Sequence, residues 1–446
     1  MFRIKKAKQL LLLIASLALP ALTYAQQPIT LKEALKYALD NNTAAKKAVL
    51  EIDKGKFKTQ EVRAQALPQI TGNAGLTYNA IIGQLVADIG GQTQSFKMGQ
   101  AWNSVAGVQL SQQLFNQQVF TGLQAAKSSE AYYRLNAQLT QEQVIEQVAN
   151  NYYQVLVNRQ QLSVIDTNIK NVKVVERIIA NQYQNGLAKK IDVDRIKVNL
   201  TNLNTQRAEV ANAITMLENQ LKFSMGMPIN TPIALPASEL TEVNQAPILA
   251  DTITLSARTE IKLMDVQRNL LNLQRKAYIS EYYPSLSLNA NYNYNSQSNS
   301  FDFLKTSPNA IGFDASAIGL TLRVPIFNGF LTRSKIRQAD VEIKEYEADR
   351  LETTNALNMA YENAKIQLRN SINTINAQKK NAELAQEIYT STQNNYNNGL
   401  ASLTDLLDTE NALAQAQNSY TQALLNYKIA EIQLIKSKGE IQTLAQ

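Results

Sequence analysis

Asp405 and Asp408 follow directly on a tight turn, Asn398-Gly399-Leu400-Ala401. Their spacing puts both carboxylates on one face of a helix that starts there. A single aspartate at such a place has an ordinary reading. Ser402 caps the helix, Asp405 completes an S-x-x-D box, and its charge suits the helix N-terminus. Two acids on one face at a tip ask for more. Repeated around a symmetric assembly, they would form a ring of carboxylates that repel, raise one another's pKa and attract cations. Such a ring is a selectivity or gate element of a pore. A hydrolase using carboxylates is the competing chemistry, but a glycosidase pair faces across a cleft, whereas these two share one helix face. The 446 residues include no histidine and no cysteine. That excludes a Ser-His-Asp triad, thiolate chemistry, disulfides and the usual zinc sites. No enzyme activity, cofactor or metal is expected.

The turn is written twice. Asn185-Gly186-Leu187-Ala188 with Asp192 behind it returns about 213 residues later as Asn398-Gly399-Leu400-Ala401 with Asp405, and Tyr183 returns as Tyr396. Pro68-Gln69-Ile70 returns as Pro284-Ser285-Leu286, and Phe115-Asn116 as Phe327-Asn328. One offset and one order imply a tandem duplication of a single long unit.

The N-terminus reads as an export signal over residues 1–25. Arg3, Lys5, Lys6 and Lys8 precede an apolar run from Leu10 to Leu19, and Thr23-Tyr24-Ala25 offers small residues for cleavage. The run is too short for a spanning helix, which argues against an uncleaved anchor. The leader holds four of the 44 basic residues and no acid, so the formal charge of +7 falls to +3 without it. The remaining basic residues are scattered, and no nucleic-acid partner is expected. No other stretch approaches a spanning apolar helix, so the exported chain is periplasmic, secreted, or in an outer membrane as β-strands.

Each repeat reads helix, strand, strand, very long helix, turn, helix. The first covers 26–223. Its opening helix starts at the T-x-x-E box of Thr30 and runs toward Leu67. The strand pair lies in 68–116, the long helix in 117–184, the turn in 185–191 and the returning helix in 192–223. A Pro-rich linker, 224–252, joins it to the second repeat, 253–446. There the opening helix runs from about Thr254 to Tyr282, followed by a strand pair (284–328), a long helix (330–397), a turn (398–403) and a returning helix (404–437). Each long helix would measure about 100 Å. The returning helices carry heptads, as in Ile196, Leu200, Leu203, Val210, Ile214 and Leu217, and in Leu406, Leu413, Tyr420, Tyr427 and Leu434. Small seam residues such as Ala364 and Ala423 suggest a wide, water-lined assembly. The strands alternate, with Leu286, Leu288, Ala290, Tyr292 and Tyr294 on one side and Ser287, Asn289, Asn291 and Asn293 on the other. Arg323 falls on the polar side of its strand, where it would line a barrel lumen, sit at a rim or form a salt bridge. The loops 80–101 and 296–312 read as exposed loops. This alternation suits an outer-membrane barrel or a soluble hairpin with one buried face. Four strands cannot close a membrane barrel, so the barrel reading requires several chains.

The duplication, the two strand pairs, the long helices and the Tyr-x-x-Gly-Leu-x-x-x-x-Asp turns together resemble the TolC-type outer-membrane efflux channel family over nearly the whole chain beyond the leader. The resemblance implies a mainly α fold with a small β part. In it a homotrimer builds a coiled-coil helical barrel and a transmembrane β-barrel of twelve strands, four per chain, in outer-membrane lipid. It implies a passive exit duct of a tripartite efflux pump or type I secretion system. A periplasmic adaptor and an inner-membrane transporter would dock at the turns. Carried over by position, Asp405 and Asp408 match the acidic constriction. Gly186, Leu187, Gly399 and Leu400 match the tip residues that meet the adaptor, and Asp192 and Tyr396 match polar links that hold the tip closed. Ala401 stands where the best-studied relatives have an arginine. The link from Asp192 is then absent, or Lys189 or Lys190 takes it over. The runner-up is a periplasmic coiled-coil scaffold or adaptor without a pore.

Overall fold

A computed structural model of the chain describes residues 28–241, 255–301 and 310–446. The expected export signal, the end of the Pro-rich linker and residues 302–309 of the second loop lie outside the described residues. In chain order the elements are α1 (Leu31–Asn41), α2 (Thr43–Ala64), β1 (Gln69–Tyr78), β2 (Gln84–Ile89), β3 (Gln92–Lys97), β4 (Trp102–Phe115), α3 (Gln117–Gln184), α4 (Lys190–Met225) and α5 (Ser238–Thr241). They continue with α6 (Thr259–Ser280), β5 (Ser285–Ser298), β6 (Ile311–Arg323), α7 (Leu331–Asn397) and α8 (Leu403–Lys438). Short 3-10 turns occupy Leu255–Ala257 and Ile441–Ala445. The chain is mainly α with a small β part, as its sequence pattern implies.

Two compact units emerge. One holds the chain up to Lys46, Thr140–Leu255 and Leu357–Gln446; the other holds Lys47–Leu139 and Ser256–Ala356.

The first unit is all helix, with two buried clusters. One joins Leu35 of α1, Val148, Tyr152 and Leu156 of α3, Leu221 of α4, Leu368 of α7 and Tyr427 and Leu434 of α8. The other joins Ile165, Ile169, Val172 and Ile179 of α3 to Val193, Ile196 and Leu200 of α4, Tyr389 of α7 and Leu403, Leu406 and Leu413 of α8. The heptad residues of both returning helices thus lie in these clusters, fully or partly buried, except Ile214, which is buried outside them. Arg207, which interrupts the heptads of α4, pairs with Asp166 of α3.

The opening helix of the first repeat is not continuous. Asn42 leaves the helix with φ −60° and ψ 133°. Its Oδ1 accepts from the amides of Ala44 (2.7 Å) and Ala45 (3.2 Å), and its Nδ2 donates to the Ser224 carbonyl (2.7 Å). One side chain therefore ends α1, caps α2 and ties both to the end of α4. The break is invisible in the hydrophobic pattern because Asn, although it favours caps, also occurs within helices, and tertiary contact decides.

The second unit carries the sheet, in the order β1-β4-β5-β6, antiparallel throughout. The β4–β5 pairing joins the two repeats. Its register aligns the alternating faces across all four strands. Ile70, Leu110, Ala290 and Ile318 form one row; Thr71, Gln109, Asn291 and Ala317 form the adjacent row on the other face. On the polar face Ser111 donates to Asn289 (3.2 Å) and Asn289 to Thr321 (3.3 Å). On the apolar face Ile70, Val108, Tyr292, Ile318, Leu320 and Leu322 are exposed. Aromatics gather at both ends of the strands. Trp102 packs on Tyr78 and Phe301 at one end, while Phe115 packs on Phe120 at the other. In the same unit α6 is tied to α7 by ion pairs in antiparallel register, Asp265–Arg350, Arg268–Glu347, Arg275–Asp340 and Glu281–Lys335.

The loop 80–101 is not plain loop. It contains the β2–β3 hairpin, turned by Gly90 and Gly91 at φ 68° and 84°. Two successive positive φ values suit the tight hairpin turn that Gly-Gly allows. The signal was present, but the Gln- and Ser-rich composition masked it.

Replacing Asn42 by Ala is expected to lower stability by about 1–2 kcal/mol through loss of the cap and of the Ser224 contact. A reduced midpoint in a helical circular-dichroism melt would report it, and Asn42→Asp, which keeps the cap but loses the amide donor, should fall between.

Candidate functional site

Two turns in the first unit carry the residues singled out above. Both long helices end in the same backbone device. At the end of α3, Gly186 has φ 75°; its N–H donates to the Tyr183 carbonyl (3.0 Å), and that of Leu187 to Gln182 (2.7 Å). At the end of α7, Gly399 has φ 74°; its N–H donates to Tyr396 (3.0 Å), and that of Leu400 to Asn395 (2.8 Å). This is a Schellman closure made twice. A Cβ added at either glycine would meet nothing within 4 Å, so the positive φ alone demands glycine. Each closure leaves a leucine in solvent, Leu187 at 79% exposure and Leu400 at 78%.

The helices that follow differ. Ser402 caps α8: its Oγ accepts from the Asp405 amide (3.2 Å), while its own amide donates to the Asp405 carboxylate (2.9 Å). The Ser402 hydroxyl also donates to that carboxylate at 2.7 Å. These bonds hold the Asp405 carboxyl below its ordinary range. Within one chain the shift thus runs opposite to the upward shift expected of crowded carboxylates, because capping stabilises the charged form. Asp405 and Asp408 are both exposed. The matched helix α4 has Lys189 in the place of Ser402, and no side chain caps it. Lys189 and Lys190 are exposed and make no ion pair among the described residues.

The half-buried phenol of Tyr396 is pushed up in pKa by burial first and by the charge of Asp192 second.

Arg195 was missed from sequence. Its Nη1 donates to Thr404 Oγ1 (3.2 Å), tying α4 to α8. Arg195 and Asp408 also line one open groove of ≈ 400 Å³, with Asn199, Asn202 and Gln206 from α4 and Asn411 from α8. A signal existed. The same offset of about 213 residues that matches Asp192 to Asp405 matches Arg195 to Asp408. The duplication thus carries an acid and a base on one returning helix and two acids on the other. In the second unit, Arg323 is exposed at the end of β6, opposite Ser285 and on the polar face with Thr321 and Asn289.

The model of the family described as outer membrane efflux protein matches residues 34–227 and 253–440. The chain belongs to the outer membrane efflux protein family. The two matched stretches overlap the stretches read from the sequence as repeats, 26–223 and 253–446. Outer membrane protein TolC of Vibrio cholerae is 24% identical over 447 residues, covering 97% of this chain and 96% of that protein. The alkaline protease secretion protein AprF of Pseudomonas aeruginosa is 21% identical over 408 residues, covering 88% and 81%. Among solved structures, the outer membrane protein VceC of Vibrio cholerae superposes with a TM-score of 0.72 at 17% identity, covering 92% and 96%. At that identity the likeness concerns the fold, a channel-tunnel with helical and β parts. This chain is a transport protein of that family.

Because Asp405 is held in its charged form, the cap it completes is fully present above the ordinary aspartate range. It is lost as pH falls through the lower folded value. Ser402→Ala is expected to raise the Asp405 pKa and to remove that acid-side dependence, as a carboxyl NMR titration of the labelled protein would show.

Proposed function

We propose that three copies of this chain form a channel-tunnel in an outer membrane, the passive exit duct of a tripartite efflux pump or type I secretion system. The observation that carries this reading is the β1-β4-β5-β6 sheet. One face is largely apolar and exposed, with Asp314 and Ser316 of β6 as polar exceptions opposite Tyr294 and Tyr292, the other is mostly polar, aromatics gather at both ends, and β1 and β6 are its edges. Such a sheet needs other strands at its edges and a non-aqueous medium against its apolar face. Three chains would supply twelve strands. A periplasmic scaffold without a pore leaves that face unexplained.

In the assembled duct the turns at Gly186-Leu187 and Gly399-Leu400 form the periplasmic entrance and present Leu187 and Leu400 to an adaptor and an inner-membrane transporter. Asp405 and Asp408, repeated threefold, narrow that entrance and favour cations. The Tyr396–Asp192 proximity and the Arg195–Thr404 bond hold it closed, the second in the absence of an arginine at Ala401. Lys189 and Lys190 stand at the same turn, free to answer acids of a neighbouring copy. Arg323 lines the lumen of the β part. The chain is exported by a cleaved signal segment and performs no chemistry on what passes. The secretion role of AprF and the efflux role of the family both fit this duct.

The reading is tested by purifying the chain in detergent, determining its mass and recording single-channel conductance in a planar bilayer. A trimer with a small cation-selective conductance is expected. Asp405→Asn with Asp408→Asn should reduce cation preference and block by multivalent cations. A detergent-free soluble monomer without conductance would return the scaffold reading. In the same assay Arg195→Ala is expected to raise the open fraction several-fold without changing ion preference.

A further inference from the structure

The buried stripe of α8 contains a carboxylate for which the duct has no use. Leu403, Leu406, Glu410 and Leu413 follow three- and four-residue steps along one face of α8, and Glu410 is 4% exposed. The leucines of that stripe belong to the cluster with Ile165, Ile169, Ile196 and Tyr389. In the first repeat the matched residue is Lys197, which is exposed. The inward acid is therefore a property of the second repeat alone. Glu410 Oε1 has no hydrogen-bond partner among the described residues.

The surroundings offer the charged form nothing. Burial is what acts on the carboxyl, and among the described residues no cation from α3, α4, α7 or α8 offsets it. Among the described residues the titratable neighbour that feels Glu410 is Tyr389 of α7, a phenol pushed up to about 12 by burial first and by Glu410 second. The cluster residues from α3 and α4 are apolar. A buried carboxylate without a partner is expensive, whereas the neutral acid packs at modest cost. Burial accordingly raises the Glu410 carboxyl to about 7.

We propose that Glu410 makes the tip end of the helical unit proton-responsive: it packs in the α8 seam as a neutral acid, and losing its proton loosens that seam. Its contribution to stability is complete below the ordinary glutamate range and declines as pH rises toward and through the folded value. The window is unusually clean. With no histidine and no cysteine, no side chain of ordinary pKa titrates between about pH 5 and 8.

The test is urea unfolding of the full-length protein in detergent at pH 5.5 and 8.5, for wild type, Glu410→Gln and Glu410→Leu. Glutamine keeps the shape without the charge, and leucine restores the stripe should a buried amide prove too disruptive. The wild-type folding equilibrium is expected to weaken roughly tenfold to a hundredfold per chain between the two pH values, with most of that change gone in both variants. An unchanged pH dependence in both variants overturns the proposal. Bilayer recordings over the same pH range add a second arm that rests on the channel reading. A wild-type open fraction that rises with pH, and stays flat in the variants, extends the effect to the entrance. Lost pH dependence of unfolding in a protein that never conducts would overturn the channel reading and leave the Glu410 inference standing.

Discussion

Everything in the helical unit depends on burying narrow apolar stripes between long helices. A helix with heptad spacing has one seam and cannot hide it alone. The cluster around Ile165, Ile196, Tyr389 and Leu406 draws on α3, α4, α7 and α8 together. It thereby holds the returning helices of both repeats side by side, close enough for Arg195 to reach Thr404. The polar links at the turns are weak individually, since exposed hydrogen bonds and ion pairs contribute little. They become specific because apolar packing has already placed their partners.

The duplication was preserved in backbone and relaxed in side chains. Both long helices end in the same Schellman closure, with a glycine of φ near 75°. Beyond it the repeats part. Ser402 stands for Lys189, Asp408 for Arg195 and Glu410 for Lys197. One returning helix is uncapped and carries a base, and the other is capped and carries two exposed acids and a buried one. The two turns of one chain thus share a backbone and differ in charge.

The sheet follows a different constraint. A strand's side chains alternate with period two, so the register of three strand pairs must agree for the faces to stay separate. It does agree, and the result is an apolar face that this chain does not cover. In water that face would be a liability. In lipid it is the surface required.

Much of this was written in the sequence. The repeat, the fold class, the helical seams, the strand faces and the Ser402–Asp405 box all follow from local spacing, because period, capping and turn chemistry act within a few residues. The Asn42 break, the β2–β3 hairpin, the reach of Arg195 and the inward turn of Glu410 were not read there. Gly90-Gly91 and the repeat offset did point to two of them. For Asn42 and Glu410 local chemistry permits more than one answer. Asn serves a cap or an interior, and Glu serves a surface or a seam, so only the neighbouring helices could choose. The Ser224 carbonyl chose for Asn42, and the packing of α8 against its neighbours chose for Glu410.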